Sequence, residues 1–126
     1  MGTARSRDGP AAGSQTRGGL KAWDIFSYQP PSWPTPHPAV IVSHPDRVAA
    51  KPEVTVLMCS SQPATRAAKP HEVILDEADG LDWPTLCKCD LLHTVSKEEL
   101  KQRRGHVSAV RRRAIITAIN RANDWI

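Results

Sequence analysis

Residues 54–61 read VTVLMCSS, a β-branched and apolar run that leads straight into two hydroxyls. A continuous run of this length, without helical spacing, reads as a strand buried on both faces or nearly so. Residues 39–43, AVIVS, repeat the pattern upstream. Shorter candidates flank this pair. Residues 22–28, AWDIFSY, mix aromatic and β-branched side chains, which suit a pleated surface. Residues 72–75, EVIL, form a brief strand that ends before the turn signal Asp79-Gly80. Residues 85–92, TLCKCDLL, alternate apolar and polar positions and read as one strand.

The connections are equally marked. Gln29 to Pro38 holds five prolines in ten residues, together with Trp33 and His37. Proline removes a backbone donor and fixes φ, so this stretch is an exposed loop. Ser60 to Pro70 is a second polar loop, carrying Arg66 and Lys69. Ser96 is a candidate N-cap for a short helix over 97–102, with Glu99 completing a capping box and Gly105 ending it. Ser108 is the next N-cap. After it, Val110, Ala114, Ile115, Ala118, Ile119 and Ala122 recur at helical spacing. Short strands broken by turn signals, closed by one amphipathic helix, predict a mainly β (α+β) fold: a small barrel with a C-terminal helix across its open side.

Length and composition set the limits. The 126 residues make one domain. Residues 1–20 are rich in Gly, Ser, Ala and Arg and poor in large apolar side chains, which predicts a disordered leader ahead of a domain over 21–126. That leader lacks the apolar core of a secretory signal, and no apolar run approaches the roughly 18 residues of a membrane helix. Three cysteines, Cys59, Cys87 and Cys89, suggest reduced thiols in a cytosol. Cys87-x-Cys89 lacks zinc-site spacing, so the thiols are read as small buried hydrophobes. The net charge is +4, and between Lys97 and Arg113 seven Lys/Arg face only Glu98 and Glu99. Such an excess points to a polyanion or an acidic protein, or else to a solvated helix face.

Within this frame a few residues carry possible chemistry. On an extended Thr85 to Leu92, Lys88 and Asp90 share a face at about 6.5–7 Å between Cα atoms. A cation and a carboxylate so placed leave a gap for a phosphate oxygen; the alternative is an ordinary charge pair on a solvated sheet. Ser60 and Ser61, at the end of a buried strand, are placed to hydrogen-bond a phosphate or a base, or are plain loop polarity. His37 stands between two prolines at a strand mouth, where imidazole transfers protons near neutral pH or simply faces solvent. Trp33 offers a stacking surface for a base, or a cover for the barrel mouth.

The order AWDIFSY, proline-rich loop, HPAVIVS, VTVLMCSS, EVIL, LCKCDLL, and the tail LLHTVSKEELKQRRGHVSAVRRRAIITAI, resembles the MazF/PemK/Kid family of toxins over residues 21–126. The resemblance implies an SH3-like β-barrel, usually a homodimer, from the bacterial cytoplasm and not the membrane. It implies a type II toxin–antitoxin system toxin. Such an endoribonuclease cuts single-stranded RNA, often mRNA, by 2′-hydroxyl attack, with no metal and no cofactor. An antitoxin partner then blocks the groove with an acidic segment. The family's Arg-Cys-Asp strand motif is matched by Lys88-Cys89-Asp90, its Thr-Ser by Ser60-Ser61 (or Cys59-Ser60), and its Arg before proline by His37. The resemblance thus gives Asp90, Lys88 and His37 as catalytic, and Ser60, Ser61, Trp33 and Arg66 as RNA-binding. Lysine and histidine replace two arginines, and prolines replace a Gly-rich loop. The alternative function is a non-catalytic barrel that binds nucleic acid or an acidic protein.

Overall fold

A computed structural model describes residues 19–125. The leader expected over 1–20 lies outside these residues except for its last two. The element order is β1 (Asp24–Tyr28), β2 (His37–Ile41), α1 (Pro45–Ala50), β3 (Glu53–Met58), β4 (Glu72–Leu75), a 3-10 turn (Glu77–Asp79), β5 (Thr85–Lys88), β6 (His93–Ser96), a second 3-10 turn (Lys97–Glu99), β7 (Arg103–His106) and α2 (Ala109–Ala122).

Antiparallel pairing arranges five strands in the order β6-β3-β2-β1-β7, and β4 with β5 form a second ribbon. A single bridge between Cys59 and Cys87 joins the ribbon to the end of β3. The two sheets make an SH3-like barrel whose pairing is not continuous all the way round.

The apolar runs do what their composition demands. Both faces of the five-stranded sheet are covered. One face presents Ile25, Val40 and Leu57 to Val73, Leu75, Cys87 and, from α2, Ile115 and Ala118. The other presents Phe26, Ala39, Ile41, Val54, Val56 and Met58 to Leu20, Val48 of α1 and Leu100. Leu20, 9% exposed, therefore packs with the domain. Cys59, Cys87 and Cys89 are free thiols and fully buried, as small hydrophobes would be.

Three sequence expectations are corrected. The strand expected over 85–92 stops at Lys88; a bend at Asp90 breaks it, and β6 is a separate strand pairing with β3. The helix expected over 97–102 is only the 3-10 turn Lys97–Glu99, capped by Ser96, whose hydroxyl accepts from the Glu98 N–H at 3.4 Å. The capping box forms elsewhere, between Asp76 and Asp79. Gly105 does not end a helix. It sits in β7 with its backbone against Asp79 and Gly80, where any Cβ would overlap main-chain atoms. Gly80 itself has φ 90°, a left-handed conformation that favours glycine.

The terminal helix α2 begins where predicted. The Ser108 hydroxyl accepts from the Arg111 N–H at 3.3 Å, and the Ser108 N–H donates to Asp79 Oδ1 at 3.0 Å. The apolar stripe is only partly used: Ile115 and Ala118 are buried, whereas Val110 is 78% exposed. Among the described residues no helix is long and apolar enough to cross a membrane.

Candidate functional site

The basic run Lys97–Arg113 is not one solvated helix face. It is distributed over a 3-10 turn, β7 and the first turn of α2, and most of its cations have internal partners. Arg103 Nη2 donates to Asp24 Oδ1 at 3.2 Å, and Arg111 Nη2 to Asp76 Oδ2 at 2.8 Å. Lys97 Nζ donates to the Val48 carbonyl at 2.6 Å. Arg112 pairs with His106 Nε2 at 2.6 Å and lies over the Trp23 ring. Because arginine only donates, that His106 nitrogen is the acceptor and its Nδ1–H is directed to Asp24 Oδ1 at 2.8 Å.

Arg104 differs from these. It leaves β7 half-buried, donates through Nη1 to the Ser27 hydroxyl at 3.3 Å, and lines a cavity of about 160 Å³. Ser60 and Ser61 at the end of β3, Pro36 and Pro38 around the start of β2, and Thr85 of β5 form one side of it. Leu81, Asp82 and Trp83, on the loop leading into β5, form the other. The local chain is held firmly. The Ser60 N–H donates to the Leu86 carbonyl at 2.9 Å, and the Thr85 hydroxyl donates to the Ser60 carbonyl at 2.7 Å. The Ser60 hydroxyl accepts from the Gln62 N–H at 3.2 Å, which fixes its direction.

His37 stands at the same place. Its Nδ1 lies 2.9 Å from the carbonyl of Cys59, the residue before Ser60. As the carbonyl can only accept, Nδ1 carries the proton and Nε2 is the ring nitrogen that remains for other partners. Trp33 meets the His37 ring edge-on, with centroids 4.7 Å apart. Of the residues expected from the sequence, His37, Ser60, Ser61 and Trp33 are therefore gathered around one point.

Lys88, Arg66 and Asp90 are not. Glu72, directly opposite Lys88 in the β4–β5 ribbon, has a side chain 1% exposed. Lys88 Nζ lies 2.5 Å from Glu72 Oε2, and Arg66 grips both Glu72 oxygens at 2.7 and 2.8 Å. The Lys69 N–H adds a fourth donor at 2.9 Å. Arg66 foremost, then Lys88 and the Lys69 amide, hold the Glu72 carboxyl far below the usual carboxylate range against the opposing effect of burial. The gap expected between Lys88 and Asp90 does not form, since the lysine turns onto Glu72. Asp90 lies past the end of β5, half exposed, 3.9 Å from His71 Nε2. Leu86, whose carbonyl accepts from the Ser60 N–H, lies within β5, whereas Asp90 lies two residues beyond its end.

Sequence reasoning missed Arg104, Asp82, Trp83 and Glu72. Glu72 had a signal, a charge heading an otherwise apolar strand; the other three were visible only as members of a basic run and a turn.

The fold is shared with known proteins. Residues 24–122 match the family described as PemK-like, MazF-like toxins of type II toxin–antitoxin systems. No curated protein matches the chain. Among solved structures, the Mycobacterium tuberculosis toxin MazF-mt6 is similar at 25% identity and TM-score 0.68, over 80% of this chain and 96% of that one. An endoribonuclease in complex with its cognate antitoxin from a mycobacterial species aligns at 21% identity and TM-score 0.73, over 85% and 97%. A MazE–MazF structure from Deinococcus radiodurans aligns at 12% identity and TM-score 0.64, over 81% and 92%.

Proposed function

Since the chain belongs to the PemK-like, MazF-like toxins of type II toxin–antitoxin systems, we propose that it is a metal-independent endoribonuclease of single-stranded RNA. The same reading includes a cognate antitoxin, a homodimer and a bacterial cytoplasmic setting. One observation carries it: Ser60, Ser61 and Arg104 line a single cavity, and His37, between the lining residues Pro36 and Pro38, has its ring on the carbonyl of the residue before Ser60.

The reaction proposed is a transesterification. The 2′-hydroxyl oxygen attacks the adjacent phosphorus, the bond to the 5′-oxygen breaks, and a cyclic phosphate and a free 5′-hydroxyl result. A proton must leave the 2′-hydroxyl, another must reach the departing oxygen, and the crowded phosphate needs positive charge. Ser60 and Ser61 supply donors to the phosphate, and Arg104 supplies the charge. His37, with Nε2 available, is assigned the major part in proton transfer. Asp90 is assigned a minor part, because it stands at the far end of β5. Lys88 and Arg66, anchored on Glu72, contribute positive potential along the path of the RNA backbone, and Trp33 contributes an aromatic face beside His37.

The test is a long RNA incubated with the purified chain in EDTA, with the cut ends mapped. Products carrying a cyclic phosphate, lost about 100-fold or more in His37→Ala and far less in Asp90→Ala, are expected. Intact RNA, or cleavage abolished by chelation, rejects the reading. A second reading is favoured by the engagement of Lys88 on Glu72, which takes its ammonium away from proton transfer: a barrel that binds RNA or an acidic protein without cutting. Tight association without any product would mark it.

A further inference from the structure

We propose that the cavity beside Ser60 and Ser61 is a recognition pocket for one unpaired guanine, read by Asp82 and Arg104 and stacked on Trp83. The inference rests on the ribonuclease reading above and adds to it the base that the site selects.

Size is the first constraint. At about 160 Å³, the cavity is well below the roughly 300–1,000 Å³ of a pocket for a drug-sized ligand. It suits a single ring system, not a whole nucleotide. The sugar and phosphate of the same nucleotide would then remain at the rim, where the serine hydroxyls and His37 stand.

Lining chemistry is the second. Trp83 is 41% exposed although it flanks the cavity. An indole left open beside a ring-sized space is a stacking platform, the usual device for a splayed-out RNA base. Leu81, 5% exposed, gives the cavity an apolar wall.

Charge is the third. Arg104 and Asp82 line the same cavity, yet among the described residues Asp82 takes part in no ion pair or hydrogen bond. Two opposite charges on one small cavity that do not neutralise each other are both available to a ligand. Arginine offers only donors, and a carboxylate offers only acceptors. The matching base must present adjacent acceptors on one edge and adjacent donors on another. Guanine does so: O6 and N7 accept, and N1–H and the exocyclic amine donate side by side. Adenine has one amine flanked by two acceptors, cytosine has one amine with an acceptor on one side only, and uracil has one ring N–H between two carbonyls. Arg104 keeps one nitrogen on the Ser27 hydroxyl, which fixes the guanidinium while leaving further N–H groups for the base.

The experiment measures binding of the full chain to short 2′-O-methyl oligonucleotides, which a 2′-hydroxyl attack does not cut. They are uridine throughout except for one central G, A, C or inosine. The G probe is expected to bind about tenfold more tightly than the A, C and all-U probes, with inosine, which lacks the exocyclic amine, losing most of that gain. Asp82→Asn is expected to lose most of the preference for G, as the inosine probe does, and Trp83→Ala to weaken every probe about tenfold through lost stacking. Both residues are exposed, so these variants should fold, which circular dichroism checks. Equal affinity for all probes, a preference for A or C, or an Asp82→Asn protein that keeps the G preference overturns the guanine assignment and leaves the ribonuclease reading standing. Failure of the unaltered chain to bind any probe or to cleave any RNA overturns both.

Discussion

Gly105 and Asp79 meet backbone to backbone: a Cβ on Gly105 would overlap the Asp79 carbonyl oxygen, and Gly80 lies directly against the same glycine. β7 and the turn before β5 can approach this closely only because neither glycine has a side chain. The contact also sets the position of Arg104, the neighbour of Gly105. Gly105→Ala is therefore expected to lower stability by about 1–3 kcal/mol through forced displacement of main chain. Urea denaturation followed by tryptophan fluorescence measures it, and an unchanged midpoint would contradict the packing.

Glu72 links stability to acid. Its carboxyl is held far below the usual carboxylate range by Arg66, Lys88 and the Lys69 amide. A depressed folded value means the folded state binds fewer protons than the unfolded one in acid. The resulting stabilisation is present above about pH 4.3, the ordinary glutamate value, and fades as pH falls below it. Glu72→Gln is expected to cost about 1–3 kcal/mol at neutral pH and to flatten the acid limb of a stability-versus-pH curve. An acid limb identical to that of the parent chain would show that another group governs it.

The three thiols are expected to be inert in the native state. Neighbouring thiols first, and burial with them, push Cys87 and Cys89 well above the ordinary thiol range, and the thiolate is the reactive form. Iodoacetamide followed by mass spectrometry should label none of them at neutral pH until denaturant is added. Rapid native labelling of Cys87 would contradict the burial.

Ser108 holds the start of α2 from two directions, through the Arg111 N–H and through Asp79. Ser108→Ala removes only the first, since the second uses its own backbone. The expected loss is about 1 kcal/mol, read as a lower thermal midpoint; Ser108→Thr should restore it.

How far the sequence foretold this molecule depends on the range of the forces involved. The runs at 39–43 and 54–59 revealed strands buried on both faces because burial leaves its mark residue by residue. Ser96 and Ser108 were legible as caps because capping acts over three residues. β6 and β7 were not: His93–Ser96 and Arg103–His106 are short and polar, and their strand character comes from pairing with β3 and β1, far away in the chain. Gly105 was misread for the same reason, since its partner is a carbonyl in another loop. At the site, His37 and Ser60 are brought together by the pairing of β2 with β3, which the sequence around neither residue announces. Lys88 did not behave as expected, because the alternation that set its face said nothing of Glu72 across the ribbon.

Cys59 is a boundary stone between two kinds of selection. Its side chain fills the interior while its carbonyl orients His37 and its successor is Ser60. A replacement there would be judged twice, once by how well the interior closes and once by where the imidazole points. If His37 moves protons as proposed, variants that leave melting behaviour intact would still silence cleavage, so at this position tolerance of folding would be a poor guide to tolerance of function.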